Sequence, residues 1–179
     1  MPESQQLTAF YEDMDALPLS GRVQNDADFE NLSRWIDGRL AGDGGGILEW
    51  HVVLADDDAA NRMVLGSLLE KSGITVTAVE NGRMALDVLA HKHVDLFLLD
   101  INMPEMDGLQ TARAIRALPN ANSGLPLVAI TSDVSPKRLA EMCNAGFDVC
   151  MEKPVRRDNL FRVILGTLSR RIVGSGCGS

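Results

Sequence analysis

The sequence predicts an α/β fold, a five-stranded parallel sheet covered on both faces by helices, and two observations carry that reading. From residue 50 onward, short apolar runs alternate with segments whose apolar residues recur at helical spacing, giving five strand–helix units in about 120 residues. Four of the apolar runs also stop at acidic, hydroxyl or basic side chains. In an open parallel sheet the crevice lies beyond the carboxyl ends of the strands, so these side chains converge on one place. Right-handed crossovers then set helices on both faces, the doubly wound arrangement.

Val52–Ala55 is the first strand in this reading, and Asp56-Asp57-Asp58 follows it. Met63, Val64, Leu65, Leu68 and Leu69 supply the apolar positions of the first helix, which Gly73 ends. Ile74–Val79 is the second strand, Asn81-Gly82 a turn or helix start, and Arg83–His91 the second helix. Val94–Leu99 is almost continuously apolar, as expected of a strand covered on both faces, and it runs into Asp100. Leu109, Ala112, Ile115 and Leu118 mark a third helix, and Leu125–Ile130 a fourth strand running into Thr131-Ser132. Ser135 is a candidate N-cap with Pro136 at the first helical position, and Gly146 stops that fourth helix. Val149–Met151 is a short fifth strand leading to Lys153-Pro154, and Leu160, Phe161, Ile164, Leu165 and Leu168 line the last helix.

Composition narrows the function classes. At 45% hydrophobic and 23% charged the chain is an ordinary globular protein, and its 179 residues hold one domain with an appendage. No apolar run approaches the length of a membrane span, and the first residues have neither the basic patch nor the apolar core of a signal peptide. Three cysteines without metal-ligand spacing suit a reducing cytoplasm. A net charge of −8 argues against nonspecific binding to nucleic acid or acidic membranes. The charge is uneven. Residues 1–46 carry nine acids and three bases, the remainder sixteen and fourteen, with the division at the glycine cluster ending at Gly46.

The expected domains are therefore a helical N-terminal extension and linker over 1–46, a main domain over 47–171 and a flexible tail over 172–179. In the extension, Leu7, Phe10, Tyr11, Met14 and Leu17 fit one helix face, and Phe29, Leu32, Trp35, Ile36 and Leu40 another. Two such helices are too small to bury a core alone. They are expected to pack on the main domain, on a second copy of the chain, or against another protein, with self-association slightly favoured. No histidine occurs before residue 51, so the segment is not a histidine phosphotransfer module.

Three or more carboxylates, a hydroxyl and an ammonium in one crevice suit phosphoryl chemistry. Carboxylate oxygens without a local cation favour Mg²⁺, commonly held by one or two carboxylates with phosphate and water. Asp100 is the candidate nucleophile, since a carboxylate attacking phosphorus forms an acyl phosphate. Asp56 and Asp57 can ligate the metal, Lys153 can meet phosphoryl oxygens as a point charge, and Thr131 can donate a hydroxyl hydrogen bond to a bound phosphate. Taken singly, each has a plainer role: Asp58 as a helix cap, Lys153 as a solvated loop lysine, Thr131-Ser132 as a cap and Asp107-Gly108 as a turn.

The motifs from Val53 to Arg62, Asp95 to Gly108, Ala129 to Ser132, and Ala145 to Val155 agree in order and spacing with one family. Residues 50 to about 170 resemble a receiver domain of two-component signalling, especially those of hybrid histidine kinases. The resemblance implies a flavodoxin-like receiver fold and a phosphoacceptor switch in which Asp100 takes the phosphoryl group from a phosphohistidine. It implies Mg²⁺ held by Asp57, Asp100 and the backbone carbonyl of Asn102, with Asp56 acting through water, Thr131 as switch hydroxyl and Lys153 as phosphate sensor. Its partners would be a histidine kinase or a histidine phosphotransfer protein; the resemblance does not cover residues 1–46, whose apolar faces alone carry the expected homodimer. A cis Lys153–Pro154 bond is also expected. With eight residues after Arg171, a stand-alone regulator, a phosphorelay intermediate or a receiver excised from a larger kinase is expected. The pattern departs from the family at Cys150, where an aromatic ring is frequent, and at Asp58, where Asn is frequent. The alternative is a Mg²⁺-dependent aspartyl-nucleophile phosphatase, but its Asp-x-Asp would read Asp100-Ile101-Asn102 here. A dinucleotide-binding fold lacks its Gly-x-Gly-x-x-Gly loop.

Overall fold

The computed structural model describes residues 50–174. The helical extension expected over 1–46 lies outside the described residues, as does the flexible tail expected over 172–179 except for 172–174, which are helical and close the last helix. The elements are β1 (His51–Ala55), α1 (Ala59–Glu70), β2 (Thr75–Val79), α2 (Gly82–His91), β3 (Leu96–Asp100), α3 (Gly108–Arg116), a 3₁₀ turn (Ala121–Gly124), β4 (Leu127–Thr131), α4 (Pro136–Ala145), β5 (Val149–Glu152) and α5 (Arg157–Gly174). The sheet order is β2-β1-β3-β4-β5 with every pairing parallel. The chain builds outward from β1 to β2, then returns past β1 to lay down β3, β4 and β5. That reversal opens a crevice between the ends of β1 and β3, the usual ligand position in such sheets.

Burial explains why the apolar runs became strands. Every residue of β3 and of β4 is buried, whereas β2 at the sheet edge is half exposed. Phe97 pairs with Val53 on one side and Leu127 on the other, and its side chain is wholly inside the core cluster with Leu99, Ile115 and Leu125. Leu160, Phe161 and Ile164 bring α5 into the buried set. Local chemistry sets the helix ends. Asp58 caps α1 by accepting from the Ala60 and Asn61 N–H groups, so its plainer role is realised. Asn81 caps α2, and Asp107 and Gln110 form a reciprocal capping box at α3. Ser135 caps α4 with Pro136 next, and Gly146 ends that helix at φ 95°. Arg116 fastens the far end of the domain, donating to the carbonyls of Gly146, Ser123 and Leu125 and to the Asp148 carboxylate.

Two expectations need correction. Met63 and Val64, read as apolar positions of the first helix, are 68% and 57% exposed. At 100° per residue only one arc of α1 faces the sheet, and Leu65 and Leu69 occupy it. Gly73, at φ 80°, lies in the turn after the helix, which itself ends at Glu70. The 3₁₀ turn was not foreseen. No helix among the described residues is long and apolar enough to cross a membrane.

Gly108 marks the closest backbone approach next to the crevice. A Cβ there would run into the Asp100 carbonyl oxygen and stand 3.0 Å from the Ile101 Cα. Neither atom can move without displacing the end of β3. Gly108→Ala should therefore lower stability by about 2 kcal/mol or more, read as a fall in the urea midpoint at unchanged m-value.

Candidate functional site

Each candidate side chain leaves the sheet at the same edge. Asp100 is the last residue of β3 and Thr131 the last of β4, while Asp56 and Asp57 follow β1 directly. Backbone hydrogen bonds extend the ladder past the strands: Asp56 N–H donates to the Val79 carbonyl at 3.2 Å, Ile101 N–H to Ile130 at 3.1 Å, and Lys153 N–H to Thr131 at 2.8 Å. The Lys153–Pro154 bond is cis, as expected.

Lys153 is not a solvated loop lysine. Its Nζ lies 3.0 Å from Asp56 Oδ2 and 3.1 Å from Asp100 Oδ2. The Asp56 carboxylate, fully buried, also accepts from the Asp58 N–H at 2.9 Å and the Asn61 side-chain amide at 3.2 Å. Asp57 is exposed, and its carboxylate has no protein partner among the described residues. Asp100 is buried and accepts from the Asn102 backbone N–H at 3.4 Å. Suitable oxygens of Asp56, Asp57 and Asp100 all lie within 4.8 Å of one another.

Thr131 is buried, with its hydroxyl turned into its own loop, where it accepts from the Asp133 N–H at 3.1 Å and faces the Asp133 carbonyl at 3.3 Å. Asn102 sits on the exposed loop after β3, its side-chain oxygen accepting from Arg138 at 3.0 Å. Cys150, on β5 beside Ala129, is half-buried; burial and the nearby Glu152 charge push its thiol pKa up.

The electrostatics follow from crowding. Burial raises the Asp100 pKa, with the Asp56 charge adding to it, and the Lys153 hydrogen bond and charge only partly oppose this. For Lys153, burial disfavours the ammonium, but the hydrogen bonds and charges of Asp56 and Asp100 outweigh that and raise its pKa. Two further residues order the site without having been given a role from sequence. Asn61 holds the Asp56 carboxylate, and Arg62 donates to the carbonyls of both Asp56 and Asp57. Their signal was present in the Asn61-Arg62 pair one helical turn beyond the acids. The Arg138–Asn102 contact, between residues 36 apart, had none.

Residues 52–165 match the response regulator receiver domain family, well over half of the 179-residue chain. This chain belongs to that family. The receiver is 36% identical over 116 residues to the sensor protein GacS of Pseudomonas syringae pv. syringae, a match covering 64% of this chain and 13% of that protein. Its fold is that of the CheY-like receiver domain protein from Methanospirillum hungatei JF-1, with TM-score 0.65 and 24% identity over 70% of this chain and 98% of that one. The receiver domain of sensor histidine kinase PA1611 from Pseudomonas aeruginosa PAO1, which has a magnesium ion coordinated in its active site cleft, matches with TM-score 0.62 and 27% identity over 67% of this chain and 98% of that one.

The donor set fits a hard divalent cation. Of the three clustered carboxylates, two share a single ammonium, leaving two negative charges, and the one without a partner among the described residues is the exposed Asp57. Oxygen donors of this kind suit Mg²⁺ rather than a soft metal.

Removing Lys153 should expose this balance. Lys153→Met leaves the buried Asp56 and Asp100 carboxylates facing each other, and should cost about 2 kcal/mol, less than a fully buried pair because the lysine is 25% exposed. An acid whose pKa is raised on folding binds more protons folded than unfolded. Ionised Asp100 therefore costs stability above its folded pKa, and the cost vanishes as the pH falls through that value. The variant's deficit, measured by thermal melting in chelator, should shrink on acidification and be recovered at neutral pH by Mg²⁺.

Proposed function

We propose that this receiver is a phosphoacceptor switch in which Asp100 takes a phosphoryl group from a phosphohistidine. The observation that supports it most is Lys153 Nζ bridging Asp56 and Asp100 beside the unpartnered Asp57. In the transfer, an Asp100 carboxylate oxygen attacks phosphorus. The new O–P bond forms as the P–N bond breaks, and its electron pair returns to the imidazole of the donor. Mg²⁺ bound by Asp57, Asp100 and the Asn102 backbone carbonyl, with Asp56 acting through water, would offset the charge on the phosphoryl oxygens. Lys153 stands within hydrogen-bond reach of Asp100 Oδ2, so it can exchange that partner for a phosphoryl oxygen without leaving the crevice. Thr131 can turn its hydroxyl from the Asp133 backbone to the phosphoryl group, drawing the β4–α4 loop with it. Cys150 offers no ring to follow that movement, so the output runs through the loop itself.

The chain accepts a group on itself rather than turning over a separate substrate. A phosphatase of the Asp-x-Asp kind needs a second acid where Asn102 stands, and that amide is engaged by Arg138. The partners in this reading are a cytoplasmic histidine kinase or histidine phosphotransfer protein. Residues 1–46 serve association, as a homodimer in the first instance.

Treatment with acetyl phosphate and Mg²⁺ should add one phosphoryl group, detected by intact mass, and none in Asp100→Asn or without the metal. Undiminished labelling of Asp100→Asn would overturn the assignment. Thr131→Ala should keep its Mg²⁺ affinity within a few-fold, since the Thr131 hydroxyl is turned to the Asp133 backbone and lies outside the carboxylate cluster, while losing the spectroscopic response to phosphorylation.

A further inference from the structure

Arg62 is placed unusually for a helix residue. From the first turn of α1 it reaches back over the turn that carries the acids, and Nη1 donates to the Asp56 carbonyl at 2.8 Å and to the Asp57 carbonyl at 2.9 Å. Nη2 donates to Glu80 Oε1 at 2.9 Å, just past the end of β2. The side chain is 16% exposed. One guanidinium thus holds the two consecutive peptide groups that carry Asp56 and Asp57 and ties them to the neighbouring strand.

The two acids depend on that clamp unequally. The Asp56 side chain has three other partners, Asp58 N–H, Asn61 and Lys153. The Asp57 side chain has none among the described residues, so only its backbone determines where its carboxylate stands. That backbone is held at its carbonyl by Arg62. The charge of the guanidinium matters less than its shape, because Glu80 neutralises it at 2.9 Å. Lysine, a point donor, could not span both carbonyls and the carboxylate.

Mg²⁺ demands near-ideal octahedral geometry at short distances, whereas Ca²⁺ accepts more ligands at longer and looser ones. A rigidly held carboxylate favours the first, and a wandering one gives up that advantage. We infer that Arg62 is a positioning residue that sets the preference of this site for Mg²⁺ over Ca²⁺ by holding the Asp56 and Asp57 peptide groups. The inference rests on the metal site proposed above and names what determines its selectivity.

The test is calorimetric titration of the full chain, unphosphorylated, with Mg²⁺ and separately with Ca²⁺. Arg62→Lys and Arg62→Met should each weaken Mg²⁺ binding about 10-fold, the usual scale for residues that orient metal ligands, while Ca²⁺ binding changes less than about two-fold. Glu80→Gln keeps both carbonyl bonds but leaves the guanidinium charge uncompensated. It should weaken the two metals equally and leave their ratio unchanged. Arg116→Lys breaks a structural clamp of the same kind elsewhere in the domain, and should lower the melting temperature without altering the ratio. Arg62 variants with the parent's Mg²⁺/Ca²⁺ ratio would overturn the role of Arg62 alone. A ratio that shifts as far in Arg116→Lys would also overturn it, by showing that any loosening suffices. If the parent chain binds no Mg²⁺, the metal site itself is wrong and this inference falls with it.

Discussion

The crowding of three carboxylates, two of them paired with one ammonium, is the constraint to which the rest of the domain answers. Strands in a sheet stand about 4.8 Å apart, so the ends of β1 and β5, three spacings from each other, are about 14 Å apart. Lys153 nevertheless meets Asp56 and Asp100 together. The Lys153 N–H, bonded to the Thr131 carbonyl, continues the β4–β5 ladder, and the long side chain spans the end of β4 to reach both acids. The acidic turn after β1 is held by the Asp58 cap, Asn61 and Arg62. Gly108 lets α3 begin directly against the backbone of Asp100. Each local feature makes sense as a means of bringing opposite charges to 3.0 and 3.1 Å of each other at the mouth of a parallel sheet.

Such a site works against stability. Ion pairs removed from water seldom recover their full desolvation cost, and the raised pKa of Asp100 records that strain in one group. The stabilising contribution comes from elsewhere: the fully buried strands β3 and β4, the apolar contacts of Phe97, Leu99 and Ile115, and the Arg116 clamp at the opposite end. Core and crevice share strands, so the polar ends are held by the same ladders that bury the apolar middles.

Much of this was legible in the sequence, and the reasons are specific. Fully buried parallel strands leave unbroken apolar runs such as Val94–Leu99, and the residues after those runs announce the crevice. Ser135-Pro136 and Gly146 marked α4 because capping is local chemistry. What stayed hidden depends on distance in space. That Met63 and Val64 face outward depends on which arc of α1 meets the sheet. Nothing local announces that Arg138 bonds Asn102 or that Arg62 reaches Glu80 beyond the end of β2. The plainer role suggested for Asp58 held, while that for Lys153 failed, because only the fold brings residue 153 to residue 56.

Asp100 belongs to a central strand, flanked by β1 and β4 and preceded by four residues with no solvent exposure. Such a residue shares the slow opening of the core rather than the fast motion of loops. In the proposed switch the acceptor is therefore a stationary target. A phosphorylated donor would have to be delivered to it by the surface around the crevice, with the geometry of attack decided by docking rather than by any search on the acceptor's side. Once the group arrived, the strand could not relax to accommodate it. The disturbance would have to pass into the turns after β3 and β4, so rigidity at the point of reception would make those loops the messengers.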